Sequence, residues 1–341
     1  MTLSPSVDAL DPDIPTLKDA LDPATMLPVL RSLPLLGAVA PNATLTVEVK
    51  RQKDGRHWLL LYTLQSPNAT PLRIYGKVFA KLRRSQRLWR ILEAVDAQST
   101  PPRPAPGALA HVEHLNLVLM ECVPGLDMRE LLENGTDAER LDAIHLAAAA
   151  LVRFHATVID DGKPGDIDEE VESFRKHLAE FGSEAPEFVA PITALIDGIE
   201  RHAQRLPAPP PCVIHGGVRP DSIIVSPERA AIVDLDGWTL GDPALDAGSF
   251  LVDLWERSAR PGSPDLTALR RPFLDAYLAL VEGPTPHLAG RIQLYQAFAF
   301  VHLALRRLRS LSRQHDRSKA AVTLEELLRE AALCLKTLEA S

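Results

Sequence analysis

The residues best suited to chemistry lie in one stretch of the sequence, between Cys212 and Asp246. Polar turns in this stretch contain a histidine, several aspartates and two serines, which are side chains that proteins use for proton transfer and for binding hard metal ions. The turns join three short β-rich pieces at residues 212–214, 223–225 and 231–234. Each polar residue is equally well explained as an ordinary turn residue. Their order along the chain, and the elements around them, must therefore decide their function.

The elements before this stretch are mainly strands. Apolar and polar residues alternate over residues 44–50, Gly55 offers a turn, and an apolar run follows at residues 58–64. A period of two on both sides of a turn predicts a β-hairpin. Further along, the patterns predict strands at residues 72–79 and 115–123 and a helix at residues 81–95.

Beyond residue 126 the pattern is mainly helical. Helical spacing of apolar residues occurs over residues 138–159, 169–181, 189–205, 266–281, 288–311 and 324–338. Two proline clusters, at residues 100–107 and 207–211, exclude regular elements and mark loops. Residues 1–40 carry a short helical pattern broken by prolines, which predicts an N-terminal extension.

Several short motifs occur in an order that is typical of one family. They are residues 76–79 (GKVF), 119–125 (LMECVPG), 151–155 (LVRFH), 215–225 (HGGVRPDSIIV), 232–236 (IVDLD) and 241–246 (GDPALD). Together they resemble the aminoglycoside phosphotransferase and choline kinase family, whose fold is protein-kinase-like. The resemblance spans residues 45–340, roughly. It implies an α+β protein of two lobes, with a small β-rich N-lobe and a larger helical C-lobe.

The resemblance also implies where the lobes begin and end. We expect an N-terminal extension at residues 1–40, an N-lobe at 41–125 and a helical C-lobe at 126–341. The segment that resembles the catalytic loop system, residues 212–246, lies within the C-lobe.

The same resemblance implies a nucleotide site for ATP. Lys77 would contact the α and β phosphates, and a helix carboxylate would hold this lysine. Glu93 is the only carboxylate in the predicted helix at residues 81–95, and it is our choice for that role. Glu121 and Val123 lie in the segment that resembles the hinge, and they are expected to contact the nucleotide.

The resemblance further implies a Mg²⁺ site and its supports. Asp234 stands where the family has a metal-binding aspartate, and Mg²⁺ prefers such oxygen ligands. Asp236 is expected to be a second ligand that compensates for a weak one at Ser222. His215 and Asp242 are expected to brace the backbone of the catalytic and metal loops.

Two positions depart from the family pattern. Where the family has the catalytic aspartate, this chain has Gly217, and where it has the second metal-binding asparagine, this chain has Ser222. Glycine supplies no side chain, and a serine hydroxyl is a shorter ligand than an amide. Asp221, four residues beyond Gly217, is the one candidate for a substitute base, although such loops usually point this side chain away from the acceptor.

These departures predict a degenerate family member: a nucleotide-binding pseudokinase or a very weak phosphotransferase. The first alternative is an active ATP-dependent kinase of a small hydroxylated molecule. The second is an interaction module that has lost nucleotide binding. The acceptor is a small molecule that the sequence does not identify, and a protein partner is equally unspecified.

Composition excludes several other classes. The chain has 341 residues and a formal net charge of −8, which argues against general nucleic-acid binding. No apolar run is long enough for a membrane span, and the acidic, proline-rich start does not resemble a secretory signal, so a cytoplasmic protein is expected. A basic stretch contains Arg306, Arg307, Arg309, Arg313, Arg317 and Lys319. Such a run is usually a solvated helix face, with an anionic substrate or partner as the alternative.

Overall fold

The computed structural model describes residues 11–33, 42–67, 69–160, 164–282, 287–312 and 322–340. Arg313, Arg317 and Lys319 of the basic stretch lie outside these residues. The chain divides into two compact units. The first consists of Met1–Pro124 together with Val233–Asp236, and the second of Gly125–Ile232 together with Gly237–Ser341. The four residues from Val233 to Asp236 thus belong to a different unit from their neighbours in sequence.

The first unit is built on an antiparallel sheet of five strands in the order β1-β2-β3-β5-β4. Its elements are α1 (Leu17–Leu21), α2 (Pro23–Arg31), β1 (Thr44–Lys53), β2 (His57–Gln65), β3 (Leu72–Phe79), α3 (Leu82–Gln98), β4 (Ala108–Val112) and β5 (Leu117–Glu121). The predicted hairpin is β1 and β2, and the predicted third strand is β3 with the same bounds. The strand β4 has no counterpart among the predicted elements.

The two N-terminal helices pack against this sheet. Trp58, Leu60 and Tyr62 alternate along β2 and therefore share one face of it. This face forms a buried cluster with helix residues that include Leu17 and Leu30. The described part of the N-terminal extension is thus integral to the core of the first unit.

The second unit is mainly helical. Its elements are β6 (Leu126–Asp127), α4 (Met128–Asn134), α5 (Asp137–His155), α6 (Ile167–Phe181), α7 (Val189–Arg205), β7 (Cys212–Ile214), β8 (Ile223–Val225), β9 (Ala230–Ile232), β10 (Thr239–Gly241), α8 (Ala244–Ser258), α9 (Arg270–Leu280), α10 (Leu288–Ser312) and α11 (Leu324–Glu339). The short strands form two small sheets, β6-β8-β9 and β7-β10. Among the described residues, no helix is long and apolar enough to cross a membrane.

These elements confirm the expected α+β fold, with a small unit built on a sheet and a larger helical unit. The helix α8, however, was not predicted. Its buried residues include Asp246, Phe250, Leu254 and Arg257, and burial extends over most of its circumference. Ala247, Phe250, Leu251 and Leu254 recur at the spacing of one helix face. The sequence therefore carried a helical signal here that went unrecognised.

The buried hydroxyl of Tyr62 provides a test of how firmly the N-terminal helices are held. It donates a 2.7 Å hydrogen bond to the carbonyl oxygen of Ala20 at the end of α1. We predict that Tyr62→Phe lowers the free energy of unfolding by about 1–2 kcal/mol, because the carbonyl loses a buried partner. Urea denaturation measures this change.

Tyr75→Phe in the adjacent strand is the matched control. The Tyr75 hydroxyl makes no hydrogen bond to any described residue, so we expect its removal to change stability by less than about 0.5 kcal/mol. Equal losses in the two variants would contradict the role given to the Tyr62 bond.

Candidate functional site

Lys77 lies in the middle of the five-stranded sheet. It sits on β3 opposite Leu59 of β2 and Val118 of β5, and only 5% of its surface is exposed. Its Nζ lies 2.8 Å from Oδ1 of Asp234 and 2.6 Å from a carboxylate oxygen of Asp236. A buried ammonium group is costly unless it is paired. The two carboxylates satisfy this requirement.

Asp234 is held in an unusual backbone conformation. Its φ angle is +60°, which is uncommon for any residue other than glycine and often marks a functional position. Burial would raise the pKa of its carboxyl group, but the charge and the hydrogen bond of Lys77 hold this pKa at about 2. Arg51 of β1 adds a second cation, with Nη1 3.5 Å from Oδ2 of Asp234. Asp234 is therefore ionised at neutral pH.

A buried histidine completes the cluster. Nδ1 of His57 lies 3.5 Å from Oδ2 of Asp236, and its side chain is 7% exposed. Burial and the nearby charge of Lys77 lower the pKa of His57 to about 4, so the imidazole is neutral at pH 7. Sequence analysis missed this residue. The available signal was its place in the hairpin, because His57 is two residues from Leu59, which pairs with Lys77, and so lies on the same face.

This donor set fits a magnesium ion that also binds phosphate oxygens. Mg²⁺ is commonly held by one or two carboxylates together with substrate phosphates and water. Asp234 and Asp236 supply two such carboxylates. The described residues contain no group of three or more histidine, cysteine, aspartate or glutamate side chains that could hold a metal by themselves. A metal at this cluster would therefore depend on oxygen atoms of a ligand.

The structure corrects the choice of Glu93 as the partner of Lys77. Glu93 is exposed on α3. Among the described residues, the carboxylates within 4.0 Å of the Lys77 ammonium group are Asp234 and Asp236. The sequence reasoning assumed a partner on the following helix, whereas both partners come from the segment after β9.

The expected hinge residues lie at the end of β5. Glu121 is the last residue of the strand, and Val123 follows it in a partly exposed position. A carboxylate oxygen of Glu121 accepts a 2.9 Å hydrogen bond from the N–H of Gly107. Whether either residue contacts a nucleotide stays a prediction.

The turn between β1 and β2 contains one glycine, Gly55. Its N–H donates a 2.7 Å hydrogen bond to Oδ2 of Asp11, which is almost fully buried. A backbone N–H in such a turn is a natural phosphate contact. Here the carboxylate of Asp11 accepts this N–H. The turn is therefore a poorer phosphate-binding element than a glycine-rich loop would be.

The loop that follows β7 in the second unit is fixed by one buried carboxylate. Oδ2 of Asp246 accepts the N–H of His215 at 2.7 Å. Oδ1 accepts the N–H of Gly217 at 2.7 Å and that of Val218 at 3.2 Å. His155, at the end of α5, approaches Oδ2 with its Nε2 at 3.1 Å. Asp246 is completely buried, and it therefore ties the loop to the helical core.

This anchoring explains the two glycines of the loop. Gly216 has a φ angle of +84° and Gly217 one of +113°, and both values favour glycine strongly. Successive backbone N–H groups that converge on one anion require such conformations. A Cβ atom at Gly217 would meet nothing closer than Ser249 Oγ at 3.9 Å. Backbone conformation, and not lack of space, is therefore what disfavours a side chain at this position.

The geometry argues against Asp221 as a substitute base. Its Oδ1 accepts a 2.6 Å hydrogen bond from Nη2 of the buried Arg257 and lies 3.7 Å from Nε of Arg129. Arg257 also pairs with Asp253, which in turn pairs with Arg219. Asp221 is thus one member of an ion-pair network that holds the loop to α8.

Ser222 is likewise engaged within its own loop. Its hydroxyl donates to the carbonyl oxygen of Arg219 at 3.1 Å and accepts the N–H of Arg219 at 3.3 Å. The residue is buried, with 8% of its surface exposed. These bonds close a turn, and they leave the hydroxyl poorly suited to the metal-binding role expected from the sequence.

The two expected bracing residues act on the backbone in different ways. His215 donates its own N–H to Asp246, as described above. Asp242 pairs with Nε of the buried Arg291, and its Oδ1 accepts the N–H of Ala244 at 2.9 Å. Asp242 therefore stabilises the start of α8. Sequence analysis missed Asp246, although it stands in the same motif.

Comparison with known proteins identifies the family. The profile of a family described as "Phosphotransferase enzyme family" matches residues 62–289, about two thirds of the chain. The chain belongs to this phosphotransferase family. The match includes Lys77, the loop at residues 215–218 and Asp246.

Individual relatives are distant. The mouse protein acyl-CoA dehydrogenase family member 10 is 28% identical over 248 residues, which make up 64% of this chain and 22% of the mouse protein. The chain therefore corresponds to a small part of that relative.

Solved structures show the same fold at low sequence identity. A choline/ethanolamine kinase family protein from Mesorhizobium loti has 15% identity and a TM-score of 0.55, with 96% of this chain and 95% of that one covered. The aminoglycoside phosphotransferase APH(2'')-Ib in its ADP-bound form has 14% identity and a TM-score of 0.54, with 92% and 97% covered.

The buried Asp246 predicts a specific dependence of stability on pH. Burial would raise the pKa of its carboxyl group, but hydrogen bonds from His155 and Gly217 and nearby histidine charge hold it at about 2, below the usual 3.8. A carboxyl group whose pKa is lowered by folding stabilises the fold at pH values above its pKa in the unfolded chain. This stabilisation is lost as the pH falls toward 2. We predict that this group contributes on the order of 2 kcal/mol at neutral pH.

The measurement is the free energy of unfolding between pH 6 and pH 2 for the native chain and for Asp246→Asn. The difference in the free energy of unfolding between the two chains should shrink as the pH falls below about 4. Protonation of Asp246 removes the stabilisation that its carboxylate gives the native chain. Asp142→Asn, an exposed change on α5, is the control and should leave the profile nearly unchanged. A difference that stays constant over this range would reject the assignment.

Proposed function

We propose that this protein binds ATP with Mg²⁺ and transfers its phosphoryl group very slowly or not at all. The observation that carries the proposal is the contrast between the charged cluster in the first unit and the loop at Gly217 in the second. Lys77 is buried and pairs with the carboxylates of Asp234 and Asp236, whereas Gly217 has no side chain that could act on an acceptor.

Charge supports nucleotide binding at the cluster in the first unit. Phosphoryl transfer depends mainly on positioning and on neutralising phosphate charge. Lys77 supplies a fixed positive charge to phosphate oxygens, and Asp234 and Asp236 would hold the metal ion. Bound Mg²⁺ would neutralise negative charge on the phosphates. The ADP-bound aminoglycoside phosphotransferase of the same fold adds support for a nucleotide ligand.

The missing carboxylate limits the chemical step. A positioned general base is worth roughly 10² to 10⁴ in rate, or about 3–5 kcal/mol. An ordinary kinase turns over at about 1–100 s⁻¹. Loss of the base alone would leave on the order of 10⁻⁴ to 1 s⁻¹. The ion pairs of Asp221 with Arg257 and Arg129 argue against its rescue of this step.

Calorimetric titration with ATP, with and without Mg²⁺, tests the nucleotide site. We predict Mg²⁺-dependent binding that Lys77→Ala weakens at least tenfold, because the variant removes the positive charge that Lys77 supplies to the phosphate oxygens. Lys81→Ala, at an exposed lysine four residues along the chain, is the control and should bind as the native protein does. Absence of binding under both conditions would instead favour an interaction module.

Substitution of the loop glycine tests the catalytic defect. We predict that Gly217→Asp binds ATP normally but does not reach ordinary kinase turnover, for two reasons. A φ angle of +113° strains any residue with a side chain, and the engaged Ser222 remains. The measurement is ATP-dependent phosphorylation of a panel of small hydroxylated acceptors, with ATP hydrolysis as a second readout.

The matching variant for this test is Asp234→Ala, which should abolish any residual turnover of the native chain by removing a metal ligand. Turnover of 1 s⁻¹ or more by Gly217→Asp alone would contradict the role given to the loop conformation. Residual native turnover that survives Asp234→Ala would contradict the proposed metal site.

A further inference from the structure

Two neighbouring cavities lie in the second unit, and the first opens beside Gly217. The first has a volume of about 480 Å³, and its wall includes Gly216 and Gly217. The second has a volume of about 350 Å³. They share four lining residues, Arg219, Glu256, Leu303 and Arg306. A single small molecule can therefore extend from the glycine loop into the second cavity.

The second cavity is strongly basic. Its lining includes Arg219 from the loop, Arg260 after α8, and Arg306 and Arg307 from α10, with one acidic residue, Glu256. The four arginines come from three separate segments of the chain. A solvated helix face accounts for adjacent arginines on α10, but it does not account for convergence from the other two segments.

The ion pairs show which of these charges are balanced. Nε of Arg219 donates to Asp253 at 2.7 Å. Asp253 also pairs with Arg257, which pairs with Asp221, so two arginines face two aspartates. Among the described residues that line this cavity, the other three arginines, Arg260, Arg306 and Arg307, face one carboxylate, that of Glu256. Three positive charges and one negative charge leave an excess of two positive charges.

Two of the cavity arginines are also held in position. Arg219 is fixed by Asp253, and Nη2 of Arg307 donates a 3.0 Å hydrogen bond to the carbonyl oxygen of Val322. Side chains that are already ordered lose less entropy when a ligand binds. Like charges brought together also repel one another, and an anion bound among them relieves this repulsion.

The first cavity has a different character. It is lined by the aromatic rings of Tyr295 and Phe298 and by the carboxylates of Asp166 and Glu170. Aromatic faces pack against the apolar body of a ligand, and carboxylates accept hydrogen bonds from hydroxyl groups. A ligand that fits both cavities thus has hydroxyl groups at one end and negative charge at the other.

We propose that these cavities bind a small hydroxylated molecule that carries a carboxylate or phosphate group. The anionic group lies among Arg260, Arg306 and Arg307, and the hydroxyl end lies toward Gly217. This inference rests on the proposed function, since it takes the cavity beside Gly217 as the acceptor site. A cation such as choline would be repelled from the second cavity by these arginines.

The test uses the full chain carrying Lys77→Ala, so that anionic probes cannot bind at the Lys77 cluster. Glycerol 3-phosphate, glycerate and inorganic pyrophosphate are titrated by calorimetry, with glycerol as the uncharged probe and choline as the cation. We expect the three anions to bind, and glycerol and choline not to bind. Arg260→Gln with Arg306→Gln should weaken anion binding at least tenfold, because two of the three unbalanced charges are removed.

The control carries the same charge change in the first unit, Arg83→Gln with Arg84→Gln on α3, where both arginines are exposed. It should bind the anions as the parent does. Loss of binding in both double variants would indicate a non-specific charge effect and would overturn the proposal, as would absence of binding by all three anions, or choline binding as tight as theirs.

Thermal unfolding supplies a second readout that does not need the natural ligand. Because like charges are removed, the melting temperature of Arg260→Gln/Arg306→Gln should be equal to or above that of the parent chain. Added pyrophosphate should raise the melting temperature of the parent chain and leave that of the double variant unchanged. If the double variant does not fold, Arg306→Gln alone is compared in the same way. An equal pyrophosphate effect in parent and variant would reject the site.

Failure of this inference differs from failure of the nucleotide proposal. Chains that bind ATP through Lys77 but show no arginine-dependent anion binding would reject only the cavity assignment. Chains that bind anions at the arginines but never bind ATP would reject the nucleotide site and leave an anion-binding protein.

Discussion

One buried carboxylate determines the shape of the loop on which the functional question depends. Asp246 accepts three backbone N–H groups, from His215, Gly217 and Val218, and is bound by His155. An uncompensated charge at such a depth would cost several kcal/mol. The loop donors and the histidine compensate it, so the loop conformation and the stability of the surrounding helices depend on the same group. A change in this loop is therefore also a change in the packing of the second unit.

The first unit is organised around a second charge, that of Lys77. A lysine buried in the middle of a sheet needs anionic partners, and here they come from residues 157 and 159 positions away in the sequence. This pairing explains why Val233–Asp236 belongs to the first unit although the residues on either side belong to the second. The charge that could bind phosphate groups is also the charge that holds this segment in place.

The sequence predicts most of the elements but only part of the site. Period and turn signals identify the hairpin and β3, because these strands have one clear pattern and a glycine turn between them. The family resemblance assigns Lys77 to phosphate binding and Asp234 and Asp236 to Mg²⁺, and these roles stay predictions. The structure brings the three side chains together. The helix α8 was missed although residues 247, 250, 251 and 254 repeat at helical spacing; its start overlaps the GDPALD motif, and only the motif was recognised.

The site residues that were missed or misassigned share one physical cause. Glu93 was chosen because it lies near Lys77 in sequence, whereas the actual partners of the lysine are distant in sequence. His57 has no local signal, since its role follows only from the pairing of β2 with β3. The position of Gly217 shows the same dependence on tertiary structure. An L-amino acid at a φ angle of +113° would add strain on the order of 1–3 kcal/mol. The missing carboxylate and the anchored backbone are thus coupled, because a side chain at position 217 would strain the backbone geometry that Asp246 stabilises.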